Sequence, residues 1–230
     1  MLKVTRAKNA SGPTEILLYD TIGEDPFFGG GVSSKAFAAA LRDAKKGPID
    51  LRINSGGGSV FEGAAIYDLI RQHPAPVNVY VDGIAASIAS LIAMAGTSIE
   101  MGEASWLMIH KAWTFTIGNA NDMTKTAADL EKIDGVLIDA YERKTGKDRA
   151  ELADMLAAET WFTGQEAVAA GFADTVFKQA KVAAWANFDR FGYTHVPEPV
   201  KKGAPDTDTR AALAAMSMAM GRRGLTPPRV

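Results

Sequence analysis

Ser87 lies in residues 77–96 (VNVYVDGIAASIASLIAMAG), where the β-branched alternation of Val77, Val79 and Val81 gives way at Asp82-Gly83 to an apolar run of helical length, residues 84–95. A strand feeding a buried helix has one special position, the first turn, and Ser87 occupies it. Its small neighbours Ala85, Ala86 and Ala89 let another backbone or a substrate come close. The next amide, that of Ile88, is one of the helix's unpaired donors and lies in the positive field of the helix end. A hydroxyl beside a free amide suits acyl transfer through serine, which needs a nucleophile and a donor for the oxyanion. Serine is also a favoured helix cap, and taken alone this stretch fits that commoner role as well.

Two further groups bear on the same chemistry. Gly56-Gly57-Gly58 follows an apolar strand and precedes a helix. Such a run cradles phosphate, offers amides to an oxyanion, or simply turns the chain; no Walker Lys-Ser pair and no GxGxxG pattern follows it. His110 ends the strand SWLMIH, and imidazole has the pKa to take a proton from a hydroxyl near neutrality. Of the other histidines, His73 sits beside Pro74 at a helix end and His195 lies in the expected tail, neither placed for chemistry.

The elements that must position these groups alternate. Residues 15–19 (EILLY), 49–53 (IDLRI) and 77–81 read as strands. A helix capped by Ser33 or Ser34 carries Phe37, Ala40 and Leu41 on one face, and Ser59 with Glu62 opens another through Ile70 as a capping box. Strand and helix in turn predict βαβ units in a largely parallel sheet. Residues 98–101 and 105–110 add two strands. Asn119 or Asn121 caps a long helix with Met123, Ala127, Leu130, Ile133, Leu137 and Tyr141 on one stripe, ended by Gly146. Asp148 with Glu151 and Thr163 with Glu166 start two more helices, and residues 172–177 return as a strand. The expected organisation is a flexible N-terminus over 1–14, one catalytic-type domain over 15–180, and a tail over 181–230 with a linker at 197–209 and a possible short helix at 210–220.

Composition narrows the classes. The chain is 47% apolar and 23% charged with net charge −2, which gives no global attraction to nucleic acid or anionic membrane. Cysteine is absent, so disulfides, thiolate catalysis and cysteine-held metal are excluded. No apolar run reaches the roughly 20 residues of a membrane span, and residues 1–15 lack a signal-peptide core. The reading is a cytoplasmic protein, with no metal and no cofactor expected.

At this point three motifs, in order, carry a resemblance. Asn54-Ser55-Gly56-Gly57-Gly58 resembles the Asn-Ser-Pro-Gly-Gly loop of the Clp protease proteolytic subunit family, ClpP; residues 82–87 (DGIAAS) resemble its nucleophile turn; Met108-Ile109-His110 matches its Met-Ile-His strand. Residues 164–174 (GQEAVAAGFAD) resemble its last helix and strand, so the likeness runs over about 15–177, and it is nearest to phage-type head maturation proteases. It implies an α/β fold of the ClpP/crotonase type, with repeated βαβ units and a long handle helix at 121–145. It implies a serine endopeptidase with Ser87 as nucleophile, His110 as base, Glu159 in place of the family's aspartate, and Ile88 with Gly57 or Gly58 as oxyanion donors. It further implies a homo-oligomeric ring or double ring enclosing its sites, an extended polypeptide substrate such as scaffold or capsid protein in the host cytoplasm, and an ATP-dependent unfoldase as a possible partner. The segment 113–118 would run beside the substrate strand.

Glu159 is one methylene longer than aspartate, and a solvated helix-end carboxylate is the plain alternative for it. Asp174, the other candidate acid, matches a loop-side aspartate of the family instead. Other readings are a crotonase-like acyl-CoA enzyme, a Ser-Lys protease using Lys111, and a capsid-assembly or scaffold protein that keeps the fold without activity. The Ser87–His110 pair argues against the first and third, and Lys111 must face away from the site if His110 faces it.

Overall fold

The computed structural model describes residues 2–5, 12–24, 30–44, 47–178, 193–198 and 200. Among the described residues eight strands form one sheet: β1 (Leu2–Thr5), β2 (Thr14–Leu18), β3 (Ile49–Ser55), β4 (Val77–Ala86), β5 (Ser98–Gly102), β6 (Trp106–Ile109), β7 (Thr160–Thr163) and β8 (Thr175–Phe177). The helices are α1 (Ser34–Ala44), α2 (Val60–Arg71), α3 (Ile88–Ala93), α4 (Ala120–Thr145), α5 (Arg149–Ala157) and α6 (Gly164–Ala169). The expected α/β architecture with a largely parallel sheet is present: β2, β3, β4, β5 and β8 run parallel in that order. Within the stretch expected to be flexible, Leu2–Thr5 pairs antiparallel with β2.

β4 departs from the sequence reading and matters most. The strand does not stop at Asp82-Gly83 but continues to Ala86, so the helix begins at Ile88 rather than at residue 84. The reason is a change of partner. Residues 78–81 pair with β5, whereas Ile84, Ala85 and Ala86 pair with Trp106, Leu107 and Met108 of β6. Asp82 lies at the fork with its side chain fully buried, held by Arg52, whose Nε donates at 2.7 Å, and by the Tyr19 hydroxyl. A buried carboxylate is tolerated only when so partnered.

The alternation past the fork sets two apolar faces. Ala85, Leu107 and Ile109 join the main core under α1–α3 with Leu51, Ile53 and Val81. Ile84, Ala86 and Met108 point the other way into a smaller cluster closed by Val196 and Val200. β7, which the sequence reading did not anticipate, pairs antiparallel with β6. The expected caps are present: Ser59 on α2, Asn119 with Asp122 on α4, Asp148 on α5, Thr163 with Glu166 on α6. On α4 only Leu137, Ala140 and Tyr141 are buried; Met123 and Ala127, expected on its apolar face, are exposed. The helix expected at 210–220 lies outside the described residues.

Candidate active site

Ser87 joins β4 to α3 with φ 54° and ψ −129°, a backbone region that a residue with a Cβ rarely adopts. Its amide donates to Met108 O at 2.9 Å, which locks the turn onto β6. Although Ser87 holds the cap position of α3, its side chain makes no capping bond. The hydroxyl instead meets His110 Nε2 at 2.8 Å. The register of β4 on β6 explains the meeting, since Ala86 opposes Met108 and each chain then continues past that pair. Behind the turn, Ser90 Oγ donates to Ser87 O at 2.6 Å and contacts the buried Tyr141 hydroxyl at 2.8 Å, tying α4 to the back of the site.

The glycine loop closes on the same point. β3 bulges between Ile53 and Ser55, and Ser55 then opposes Ala85. Gly57 has φ 101°, and a Cβ there would lie 2.8 Å from Ser87 Cβ and 2.9 Å from Ala86 O. Only glycine permits this approach. Ile22 N donates to Gly57 O and Ser59 N to Ile22 O, both at 2.8 Å, which pins the loop and leaves the Gly58 amide outside that bridge. The Gly57 amide reaches Ser55 Oγ at 3.2 Å. As the first residue of α3, Ile88 carries an amide with no intrahelical acceptor.

Burial pushes the His110 imidazole below its ordinary pKa, and the Glu159 charge acts in the opposite sense. Glu159, just before β7, also has a positive φ of 51°. Its carboxylate accepts from Thr194 N at 2.9 Å, Thr194 Oγ1 at 3.0 Å, His195 N at 2.8 Å and Trp161 Nε1 at 3.2 Å. Although burial alone would raise its pKa, these donors hold it below the usual range. Among the described residues none of the Glu159 hydrogen bonds goes to His110, so the structure brings the carboxylate near the ring without the contact a triad would have. Asp174 is elsewhere, accepting from Ile99 N at 2.7 Å and pairing with Lys144 at 3.1 Å. Lys111 is exposed and its amide donates to Leu156 O. His73 Nε2 meets Gly47 O at 2.9 Å, remote from the site.

The sequence reading missed Tyr193. Its ring stands edge-on to His110 at 5.2 Å and to Trp161 at 5.8 Å, and its hydroxyl donates to Gly56 O. No motif marks it, and its placement beyond residue 180 had set it among the tail.

The family model for Clp protease matches residues 32–180. The ATP-dependent Clp protease proteolytic subunit 1 of Protochlamydia amoebophila is 35% identical over 146 residues, 62% of this chain and 70% of that protein. The ATP-dependent Clp protease proteolytic subunit of Deinococcus radiodurans is 31% identical, covering 58% and 66% respectively. Subunit 1 of Chlamydia muridarum is 31% identical, covering 65% and 84%. A serine and a histidine joined at a strained strand-to-helix turn, under a glycine loop and within the matched span, sit in a chain that belongs to the Clp protease family and is a peptidase of the ClpP type.

Proposed function

We propose that the chain is a serine endopeptidase in which Ser87 attacks a peptide carbonyl while His110 Nε2 takes its proton. His110 then protonates the leaving amine, and water releases the acyl-enzyme by the reverse proton path. The observation that carries this reading is the 2.8 Å contact of Ser87 Oγ with His110 Nε2 at a turn whose serine makes no cap. The lowered imidazole pKa supports it further, because a base must be unprotonated to act.

The oxyanion is assigned to the Ile88 amide together with one amide of the Gly57-Gly58 pair. Gly58 is the freer of the two, since the Gly57 amide already reaches Ser55 Oγ. Each such donor is worth about 3–4 kcal/mol in the transition state. Glu159 is assigned to stabilise the imidazolium by its charge, through space in the arrangement described.

The substrate is an extended polypeptide, and the resemblance to head maturation proteases narrows it to phage scaffold or capsid protein in the host cytoplasm. Residues 15–180 are proposed as the catalytic domain. A homo-oligomeric ring or double ring is proposed as well, with the exposed Phe115, Ile117 and Met123 beside the free half of α4 as its apolar contact face. The named relatives are ATP-dependent proteolytic subunits, so an ATP-driven unfoldase that feeds polypeptide is part of the same proposal. Among the described residues no helix is long and apolar enough to cross a membrane.

The test is hydrolysis of a fluorogenic unfolded polypeptide by the full chain and by Ser87→Ala. Cleavage lost in the variant is expected. Equal cleavage by both would remove Ser87 as the nucleophile, and none by either in an assembled preparation would return the scaffold reading.

A further inference from the structure

Tyr193 and the residues after it reach His110, the glycine loop and Glu159. Tyr193 sets its ring perpendicular to the His110 imidazole and donates its hydroxyl to Gly56 O in the glycine loop. The next two residues engage the candidate acid: Thr194 through its amide and hydroxyl, His195 through its amide. Val196 and Val200 then bury themselves, 7% and 2% exposed, on Ile84, Ala86 and Met108, the outward residues of β4 and β6. Tyr193 and Trp161 pack at the rim of that cluster.

These contacts are of different kinds and fall in chain order. An aromatic side chain with a donor at its tip sits over the reacting pair. Two backbone amides and a hydroxyl take the carboxylate. Two β-branched residues, three and seven positions further on, fill an apolar trough that begins where the strand enters the elbow. A peptide docked on a protease is held by the same combination of a pocketed side chain, main-chain hydrogen bonds and spaced apolar anchors.

We propose that residues 193–198 with Val200 are a built-in ligand of the Ser87–His110 site, a strap that a substrate polypeptide must displace before Ser87 can be reached. The inference rests on the peptidase reading of that site. It follows that the site takes a phenolic or other aromatic side chain next to the pair, where an imidazole, an indole and a carbonyl acceptor surround it. It also follows that the strap keeps Glu159 occupied: three of the four hydrogen bonds to its carboxylate come from Thr194 and His195, and they leave when the strap does. Displacement therefore uncovers the nucleophile and frees the acid to turn towards His110 in one movement.

If the strap covers the site nine-tenths of the time, apparent reactivity falls about tenfold, and weakening its hold restores it. The experiment is the rate at which a fluorophosphonate probe labels the full-length chain, compared with Tyr193→Ala and with the milder Thr194→Ala at an exposed position. Labelling about tenfold faster in Tyr193→Ala and a few-fold faster in Thr194→Ala is expected. A synthetic peptide of residues 193–200 added to Tyr193→Ala should slow labelling again, and the same peptide with alanine for tyrosine should not. Thr194→Ala keeps the test open if Tyr193→Ala unfolds. Unchanged or slower labelling in folded variants, or a peptide without effect, overturns the strap while Ser87 reactivity still stands. Absence of labelling in every chain overturns both the strap and the peptidase reading.

Discussion

His110 meets Ser87 through the register of two adjacent strands; Glu159, whose charge acts on the ring, is held instead by residues 35 and 36 positions further along the chain. The first contact is built into the sheet. Ala86 opposes Met108, the Ser87 amide closes on Met108 O, and Gly57 seals the turn against movement. Among the described residues the carboxylate of Glu159 makes no such bond to the ring and is held by a separate segment, Thr194 and His195. The Ser87–His110 contact is thus fixed by the sheet, while the position of the Glu159 carboxylate is set by residues far along the chain.

The largest effect expected on the fixed side is that of Ser87→Ala, which should lower polypeptide hydrolysis by about 10⁴-fold or more with unfolding unchanged. Steady-state kinetics on matched, folded samples checks it. Gly57→Ala comes next. Its methyl would strike Ser87 Cβ and Ala86 O, and its φ of 101° is unfavourable for alanine, so kcat should fall about 10²–10³-fold with the sheet intact by circular dichroism. A variant of near-normal activity would mean that the loop does not govern the elbow.

Asp82→Asn probes the fork that lets β4 continue to the elbow. It leaves Arg52 and Tyr19 without their shared carboxylate, and urea unfolding should show a loss of about 2–3 kcal/mol. The side held by the strap should respond least. Glu159→Gln is expected to slow hydrolysis about tenfold, in keeping with a charge that acts without a direct bond. It should also move the pH profile. The working base is neutral imidazole, so the rate rises as pH climbs through a His110 pKa already below its ordinary value and is flat above it. The Glu159 charge favours the protonated ring, so its removal lowers that pKa further and shifts the acid limb to lower pH. A limb that stays in place would show that Glu159 does not sense the imidazole.

The legible part of the site is the part made by local pattern. The Val77–Val81 alternation, the glycine run and the strand-end histidine each state a backbone conformation that their residue types favour, and the sheet brings them together. The extent of β4 was not legible, because Asp82-Gly83 breaks strands in general. Here a buried carboxylate paired with the half-buried Arg52 and a change of partner from β5 to β6 carry the strand through. The striped face read along α4 was legible only in its second half. Leu137 and Tyr141 meet the core, whereas Met123 and Ala127 face outward, since a periodicity states that a face is apolar without stating what covers it. The partners of Glu159 were out of reach altogether. Thr194 and His195 approach it through two backbone amides and one hydroxyl, and a backbone amide leaves no mark on a sequence.

The most direct test of the Ser87–His110 pair is to map, by peptide mass spectrometry, the residue modified after prolonged incubation of the full chain with a fluorophosphonate, alongside His110→Ala. A single adduct on Ser87, with labelling slowed at least about 10³-fold in His110→Ala, is the predicted result. An adduct on another residue, or Ser87 labelled equally fast without His110, would contradict it.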